Sequence, residues 1–231
     1  QEVVPPIYDP APASRQIDVL AGERASAVFD HGTRPGSGRL WHGTAGTSIL
    51  RGFSGPQLVA DGTPEPVAVL EGADVTVRGV AFDGDGNVWV TQTDGVLRRF
   101  GAADLIAGGT VLPDRVIARD ETGLSDPRDL AFDDAGRLWV IDHGGGRLEA
   151  FDAARLATGG PWSPSIVIGS DGTSLDLPSG LAFDDGGDLY VACTNSGRVE
   201  RFASADLETS GNPSPAVALA LSGFATGLAF D

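Results

Sequence analysis

The sequence predicts an all-β fold, namely a β-propeller of four-stranded antiparallel blades, and three observations support this prediction. The tripeptide Ala-Phe-Asp recurs at Phe82, Phe132, Phe183 and Phe230, with a looser copy, Val-Phe-Asp, at Phe29, and these phenylalanines are 47 to 53 residues apart. Short segments such as residues 87–91 alternate apolar and polar residues as strands do. No long window carries the apolar stripe of a helix. A four-strand repeat of this length is typical of a propeller blade.

Further landmarks follow each phenylalanine in a constant order, and they define the strands of the predicted blade. The first strand ends in Phe-Asp, an Asp/Gly turn follows, and the second strand holds an aromatic residue. A third strand ends in a second phenylalanine, a leucine comes five residues later, and a β-branched run forms the fourth strand. The aromatics are Trp41, Trp89, Trp139 and Tyr190, the second phenylalanines Phe53, Phe100, Phe151 and Phe202, and the leucines Leu58, Leu105, Leu156 and Leu207.

Four repeats are complete, and we expect a partial blade at each end. Residues 16–20 resemble a fourth strand, and residues 224–231 resemble a first strand. Residues 1–15 contain four prolines and predict an extended arm. We therefore assign residues 16–231 to a single propeller domain, incomplete by itself, within a ring of roughly six blades.

The net charge of the chain and its lack of a long apolar run exclude two classes of partner. Its 231 residues carry a formal net charge of −16 at pH 7. Binding to phosphate backbones requires a basic surface, so we expect no nucleic-acid partner. No apolar run is long enough for a membrane span, so we expect no membrane insertion.

Two segments carry a resemblance to a known family. Residues 178–184 followed by 189–202, and residues 127–132 followed by 138–151, resemble the NHL repeat. The similarity extends over roughly residues 25–231 and implies an NHL-type propeller, related in fold to the gluconolactonase and senescence-marker propellers. Such propellers include enzymes and binding scaffolds. The long segments after the third strand resemble repeats of exported bacterial proteins of unknown function.

The resemblance also implies where a metal would lie. Lactone-hydrolysing propellers hold a divalent cation on the central axis through Glu, Asn and Asp side chains. The matching positions here carry neither carboxylate nor amide, being Ala25, Arg78, Arg128, Ser179 and Thr226. Because divalent cations of this kind need oxygen ligands, we expect no metal and no other cofactor.

Arg78 and Arg128 are instead the candidate ligand-binding residues, at equivalent positions of adjacent blades. Two guanidinium groups near the axis could bind a carboxylate or phosphate. The alternative, which we favour, is that each pairs with a neighbouring aspartate such as Asp74 or Asp129.

Other motifs favour structural roles. The turn at residues 83–87 begins like a calcium loop but lacks the glycine at the sixth position, so we interpret it as a hairpin turn. The single cysteine, Cys193, lies in a predicted strand and is interpreted as a buried thiol. The three histidines, His31, His42 and His143, do not share an offset within the repeat, which disfavours a zinc site. Trp162 is expected at the surface.

These observations predict a non-enzymatic, exported propeller that serves as an interaction or structural scaffold, with no catalytic residue. We expect a protein partner or self-association. Two alternatives stay open: a metal-dependent sugar-lactone hydrolase or lyase of the propeller type, and a subunit of a larger cell-surface assembly. An extracytoplasmic location is expected from the missing initiator methionine, the Pro-rich start and the resemblance to exported repeats.

Overall fold

The computed structural model describes residues 25–29, 39–44, 50–54, 65–71, 76–158, 162–169, 175–221, 223–228 and 230. These residues form four blades, each an antiparallel four-stranded sheet with its strands in sequence order. The predicted propeller fold and its four complete blades are confirmed. The predicted arm at residues 1–15 and the predicted strand at residues 16–20 lie outside the described residues.

Blades one and two occupy the first half of the chain. The strands of blade one are β1 Ala25–Phe29, β2 Arg39–Thr44, β3 Leu50–Ser54 and β4 Ala68–Leu70. Blade two consists of β5 Val77–Phe82, β6 Val88–Gln92, β7 Leu97–Phe100, helix α1 Ala102–Ala107, strand β8 Gly109–Val111, strand β9 Arg115–Ile117 and helix α2 Arg119–Thr122.

Blades three and four repeat this order. Blade three consists of β10 Pro127–Phe132, β11 Leu138–Asp142, β12 Arg147–Phe151, helix α3 Ala153–Thr158 and β13 Ile166–Ile168. Blade four consists of β14 Pro178–Phe183, β15 Leu189–Cys193, β16 Arg198–Phe202, a 3-10 turn Ser204–Leu207 and β17 Val217–Ala220. Among the described residues, no helix is long and apolar enough to cross a membrane.

The core lies between successive blades, because each sheet covers the face of the sheet before it. Apolar residues of blades three and four form one buried cluster, and those of blades two and three form another. The second-strand aromatic of one blade meets the first-strand phenylalanine of the next edge-on, with ring centroids 6.3 Å apart for Trp89–Phe132 and 6.2 Å apart for Trp139–Phe183. The aromatic landmarks of the repeat are therefore the contacts that join blades.

In blades two, three and four the segment after the third strand is a helical turn, which the sequence does not predict. It buries the leucine that recurs five residues after the second phenylalanine, at Leu105, Leu156 and Leu207. Because one turn is too short to show a helical period, its only sequence signal is this buried leucine.

After α1, β8 crosses to blade one and pairs in parallel with the outer edge of β4, so the first sheet has five strands. A shorter version of this contact occurs where Gly211 of blade four bridges to Ile168 at the edge of β13, again in parallel. These contacts link the outer edge of one blade to a segment of the next blade.

Two predictions on peripheral residues are wrong. Trp162 is buried in the cluster between blades two and three, where the Arg115 guanidinium lies 5.6 Å from its ring centroid. The described part of residues 224–231 is not a strand, although Phe230 lies edge-on against Tyr190 with centroids 4.9 Å apart. That segment thus keeps the aromatic contact of a first strand without the strand pairing.

Candidate functional site

The first strands of adjacent blades approach each other closely. Those of blades two, three and four each have a register shift at their start, at Val77/Gly79, Pro127/Leu130 and Pro178/Gly180. A Cβ atom at position 79 would lie 2.5 Å from the carbonyl oxygen of Arg128, so only glycine fits there. The Thr91 hydroxyl bridges the same joint, since it accepts from the Gly79 amide and donates to the Arg128 carbonyl.

The two candidate arginines occupy the second position of β5 and β10, directly beside this contact. Both side chains are half-buried. The Arg128 guanidinium donates from Nε and Nη2 to Oδ2 of Asp126, over 3.2 and 3.0 Å. The favoured interpretation as an ion pair therefore fits Arg128, but its partner among the described residues is Asp126 and not Asp129. Asp74 lies outside the described residues, and anion binding by Arg78 and Arg128 stays a prediction.

The next two of the predicted axial residues, Ser179 and Thr226, lie where blade four contacts the segment that follows β17. The Ser179 hydroxyl donates to the Ala225 carbonyl over 3.0 Å and accepts from the Thr194 hydroxyl over 2.7 Å. Thr226 is exposed, and its carbonyl would lie 2.8 Å from a Cβ atom at position 180. These groups serve backbone contacts between β14 and the segment that follows β17.

Asp129 is a carboxylate near the axis that the sequence analysis considered only as an ion-pair partner. Its Oδ2 accepts the Leu181 amide of blade four over 3.0 Å, and its Oδ1 accepts the Leu130 amide over 3.0 Å. Burial raises the pKa of Asp129 to about 6, against the two amide hydrogen bonds, which act to lower it. Asp129 thus ties two blades together while carrying an unfavourable buried charge at neutral pH.

A second group of polar side chains lies at the end of blade three, and we call Asp142, Arg147, Glu149, Ser125 and His143 the blade-three polar cluster. Oδ1 of Asp142 accepts the amides of Ser125 and Asp126 and the Ser125 hydroxyl, over 2.7 to 3.0 Å. Nη2 of Arg147 lies 3.2 Å from Oδ2 of Asp142, and its Nε lies 2.6 Å from Oε1 of Glu149. A fully buried carboxylate therefore anchors the loop that enters the first strand.

Glu149 is a buried acid of this cluster with a raised pKa. Its Oε2 accepts no hydrogen bond from the described residues. Burial raises the pKa of Glu149 to about 7, and the charge of Asp142 adds to this, although Arg147 opposes it. A carboxyl group that titrates near neutrality can give up or accept a proton, which is the property required of a general acid or base.

His143 directly follows Asp142, which is the last residue of β11. Its Nδ1 lies 2.8 Å from the carbonyl oxygen of Pro178. Because a carbonyl can only accept, Nδ1 carries the proton in this contact, and Nε2 of the neutral ring is an acceptor. The backbone amide of His143 donates to the Asp126 carbonyl over 3.0 Å. His143 therefore links the loop of blade three to the first strand of blade four.

The position of Glu149 is charged in every blade. Strand registers align Glu149 with Arg51 in β3, Arg98 in β7 and Glu200 in β16. Arg98, Glu149 and Glu200 are all buried. Buried charged residues thus lie between the blades, although charged positions of a strand usually face solvent. In blade four it adjoins Cys193, which is buried as predicted, and burial raises the pKa of that thiol to about 12.

The candidate metal motifs form no metal site in the part of the chain that the structure describes. Oδ1 of Asp83 accepts the amides of Asp85 and Asn87, and both carboxylate oxygens accept from Nδ2 of Asn87, so the motif is the predicted hairpin turn. No three His, Cys, Asp or Glu side chains among the described residues are grouped to hold a metal ion. His31 and the side chain of His42 lie outside the described set.

A third feature is the outward side of blade four, and we define the trailing face as Val217, Leu219, Leu221, Phe224 and Phe230. All five side chains are exposed, Phe224 to 80%. Strand registers align Leu219 with Leu70, Ile117 and Ile168 of the preceding blades. Those three are 2%, 0% and 1% exposed, because the next blade covers them, whereas Leu219 is 50% exposed.

Comparison with known proteins agrees with this architecture. The model of the NHL repeat matches residues 175–202, which include β15 and β16. No curated protein matches the sequence.

Two solved structures resemble most of the chain. Virginiamycin B lyase from Staphylococcus aureus, in selenomethionine-substituted form, has 13% identity and a TM-score of 0.50, over 73% of this chain and 50% of that one. A streptogramin B lyase has 16% identity and a TM-score of 0.53, over 81% of this chain and 59% of that one. The chain thus spans between half and three-fifths of these structures, and at such identities the likeness shows the fold alone. The protein is an NHL-like β-propeller that carries an NHL repeat at residues 175–202.

Proposed function

We propose that the protein is a non-enzymatic scaffold that binds protein through the trailing face of its fourth blade. The observation that carries the proposal is the 50% exposure of Leu219, where its counterparts Leu70, Ile117 and Ile168 are buried. Contiguous exposed apolar side chains mark protein interaction sites on soluble proteins. The trailing face has the chemistry of an interface between two blades.

The charge distribution supports the same role. Residues 212–230 contain no charged side chain, although the whole chain has 16 basic and 32 acidic residues. Interface centres are depleted of charge, and aromatic residues such as Phe224 and Phe230 are enriched in them. A chain of net charge −16 repels copies of itself over most of its surface. Association is therefore expected at the uncharged face.

Self-association is the simplest test, because it needs no identified partner. Light scattering over a range of protein concentrations should give masses above that of the monomer. Leu219→Asp places a charge in the interface and should restore the monomer mass. Ile106→Asp is the matched control, because Ile106 is equally apolar and 73% exposed but lies outside the trailing face. A monomer at all concentrations, or equal effects of the two variants, would contradict the proposal.

An enzymatic role is the second candidate, and the blade-three polar cluster favours it. A buried glutamate with a pKa near 7 lies close to the buried carboxylate of Asp142, and the two similar structures are lyases. The test is turnover of virginiamycin B and of a sugar lactone by wild type and Glu149→Gln. Turnover by wild type that the substitution abolishes would replace the scaffold proposal.

The location is also a proposal. We infer that the scaffold acts outside the cytoplasm, alone or as a subunit of a larger cell-surface assembly. Fractionation of the producing cells, with detection of the native protein, tests this. Recovery in the cytoplasmic fraction alone would contradict an extracytoplasmic role, and recovery with the envelope in a high-mass complex would favour the assembly.

A further inference from the structure

We propose that the outer edge of β17 binds an extended, uncharged peptide segment in parallel orientation, as an added strand. The inference rests on the proposed scaffold function and names the class of partner. Backbone hydrogen-bonding groups of β17 support it, whereas exposed side chains support binding at the trailing face. The outer edges of fourth strands in this molecule already bind such segments at two joints between blades.

The first of these joints is the outer edge of β4. Strand β8 lies parallel to it, with Ala68 opposite Gly109, Val69 opposite Thr110 and Leu70 opposite Val111. The Gly109 amide donates to the Val67 carbonyl over 3.1 Å, and the Glu71 amide donates to the Val111 carbonyl over 3.0 Å. The ligand strand is short, extended and uncharged.

The outer edge of β13 repeats the arrangement with a different sequence. The Gly211 amide donates to the Val167 carbonyl over 3.0 Å, and the Gly169 amide donates to the Gly211 carbonyl over 3.1 Å. The Ser210 hydroxyl accepts the Val167 amide over 3.0 Å. The edge therefore binds through outward backbone groups and does not require one particular ligand sequence.

The strand registers show which residues of β17 are equivalent to these edge residues of β4 and β13. Val69 and Val167 correspond to Ala218, and Glu71 and Gly169 correspond to Ala220. The amide and carbonyl of Ala218 and the amide of Ala220 therefore point outward. Within the described residues β17 is the last strand of its sheet, and all four of its residues are exposed. An edge of this kind readily accepts another strand.

The side chains around this edge define the chemistry of its ligand. Val217, Leu219 and Leu221 are exposed beside it, and residues 212–230 carry no charge. A charged segment would lose hydration there without gaining an ion pair. The ligand that fits is an extended segment of another polypeptide with small or apolar side chains, like the one formed by β8.

The probe is a synthetic peptide with the sequence of residues 106–112, which contains β8 and no charged side chain. Amide hydrogen exchange of the whole chain is followed by NMR as peptide is added. At a peptide concentration of ten times Kd, exchange at Ala218 and Ala220 should slow by about tenfold. The Leu221 amide is the internal control, because it already donates to the Gly197 carbonyl over 2.8 Å. The same peptide N-methylated at its valine should have no effect.

A pair of protein variants separates backbone binding from side-chain contact. Ala220→Pro removes the outward amide, which an edge strand tolerates because that amide has no partner within its own sheet. Ala220→Val keeps the amide. We expect the proline variant to lose protection and the valine variant to retain it, with unchanged far-UV circular dichroism in both.

Three outcomes would overturn the inference: no slowing at Ala218 and Ala220, equal slowing by the N-methylated peptide, or slowing that depends on protein concentration without peptide. The last would mean that a second copy of the chain occupies the edge. If the peptide fails while Leu219→Asp still abolishes association, the edge inference fails and the scaffold proposal stands. If the peptide binds while Leu219→Asp leaves association unchanged, the edge inference stands and the scaffold proposal fails.

Discussion

The indole Nε1 of Trp139 donates a hydrogen bond of 2.8 Å to Oδ2 of Asp133, six residues earlier in the same blade. Trp89 and Asp83 repeat the contact at 3.0 Å in blade two. The aspartate that closes the first hairpin therefore also holds the aromatic that packs against the next blade. This explains why Phe-Asp and the second-strand aromatic recur together along the sequence.

Replacing Asp133 should therefore weaken the fold. Asp133→Ala leaves the buried indole N–H of Trp139 without an acceptor and removes the 2.9 Å hydrogen bond from the Arg137 amide. We expect a loss of about 1–3 kcal/mol in the free energy of unfolding, measured by urea denaturation. Asp184→Ala is the matched control, because blade four has Tyr190 in place of tryptophan. Equal losses in the two variants would contradict a special role for the indole contact.

Two buried acids should make stability depend on pH. Burial raises the pKa of Asp129 to about 6 and that of Glu149 to about 7, each above its ordinary value in the unfolded chain. The folded state then binds more protons than the unfolded state between about pH 4 and pH 7. The contribution of these two groups is therefore most favourable at the acidic end and is lost as pH rises through the two folded values.

The measurement is the urea midpoint of wild type and Glu149→Gln between pH 5 and pH 8. We expect the wild-type midpoint to fall as pH rises and the variant to show a smaller fall. A wild-type midpoint that rises steadily over this range, or a variant with an unchanged slope, would mean that Glu149 does not titrate as described.

Arg115 should stabilise the joint between blades two and three. Its guanidinium donates to the carbonyls of Leu156 and Ala157 and lies over the Trp162 ring. Arg115→Ala should lower the free energy of unfolding by about 1 kcal/mol, as expected for a partly exposed arginine with these contacts. Arg198→Ala, at an exposed site on blade four, is the control. No difference between the two would show that Arg115 is dispensable for the joint.

Cys193 should be inert in the folded protein. Its side chain is buried, and burial raises the pKa of the thiol to about 12, so almost no thiolate forms at pH 8. A thiol reagent should label Cys193 only when urea unfolds the chain. Rapid labelling in buffer alone would contradict the buried position.

The sequence repeat was sufficient to predict most of the fold. The spacing of the phenylalanines, the Asp/Gly turns and the second-strand aromatics predicted four blades with nearly correct strand positions, because each landmark recurs at nearly the same place in the sequence of every blade. Strand β8 could not be predicted, since Gly109, Thr110 and Val111 resemble a loop until β4 lies beside them.

The candidate site was predicted less well, because its features depend on contacts between blades. Trp162 was expected at the surface because it lies next to Pro161, and its burial results from the apolar cluster between blades two and three and from Arg115 of the preceding blade. Arg98, Glu149 and Glu200 are charged residues within short strands, which is typical of solvent-facing strand positions. Only the packing of one blade on the next makes these positions interior.

The most direct test of the scaffold account follows thiol labelling at Leu219→Cys as protein concentration rises. Because Cys193 should stay unreactive, the new cysteine reports the trailing face alone, and Ile106→Cys serves as the exposed control. The account predicts that labelling at position 219 slows with concentration while labelling at position 106 does not change. Equal labelling rates at both positions at every concentration would contradict a protein-binding role for the trailing face.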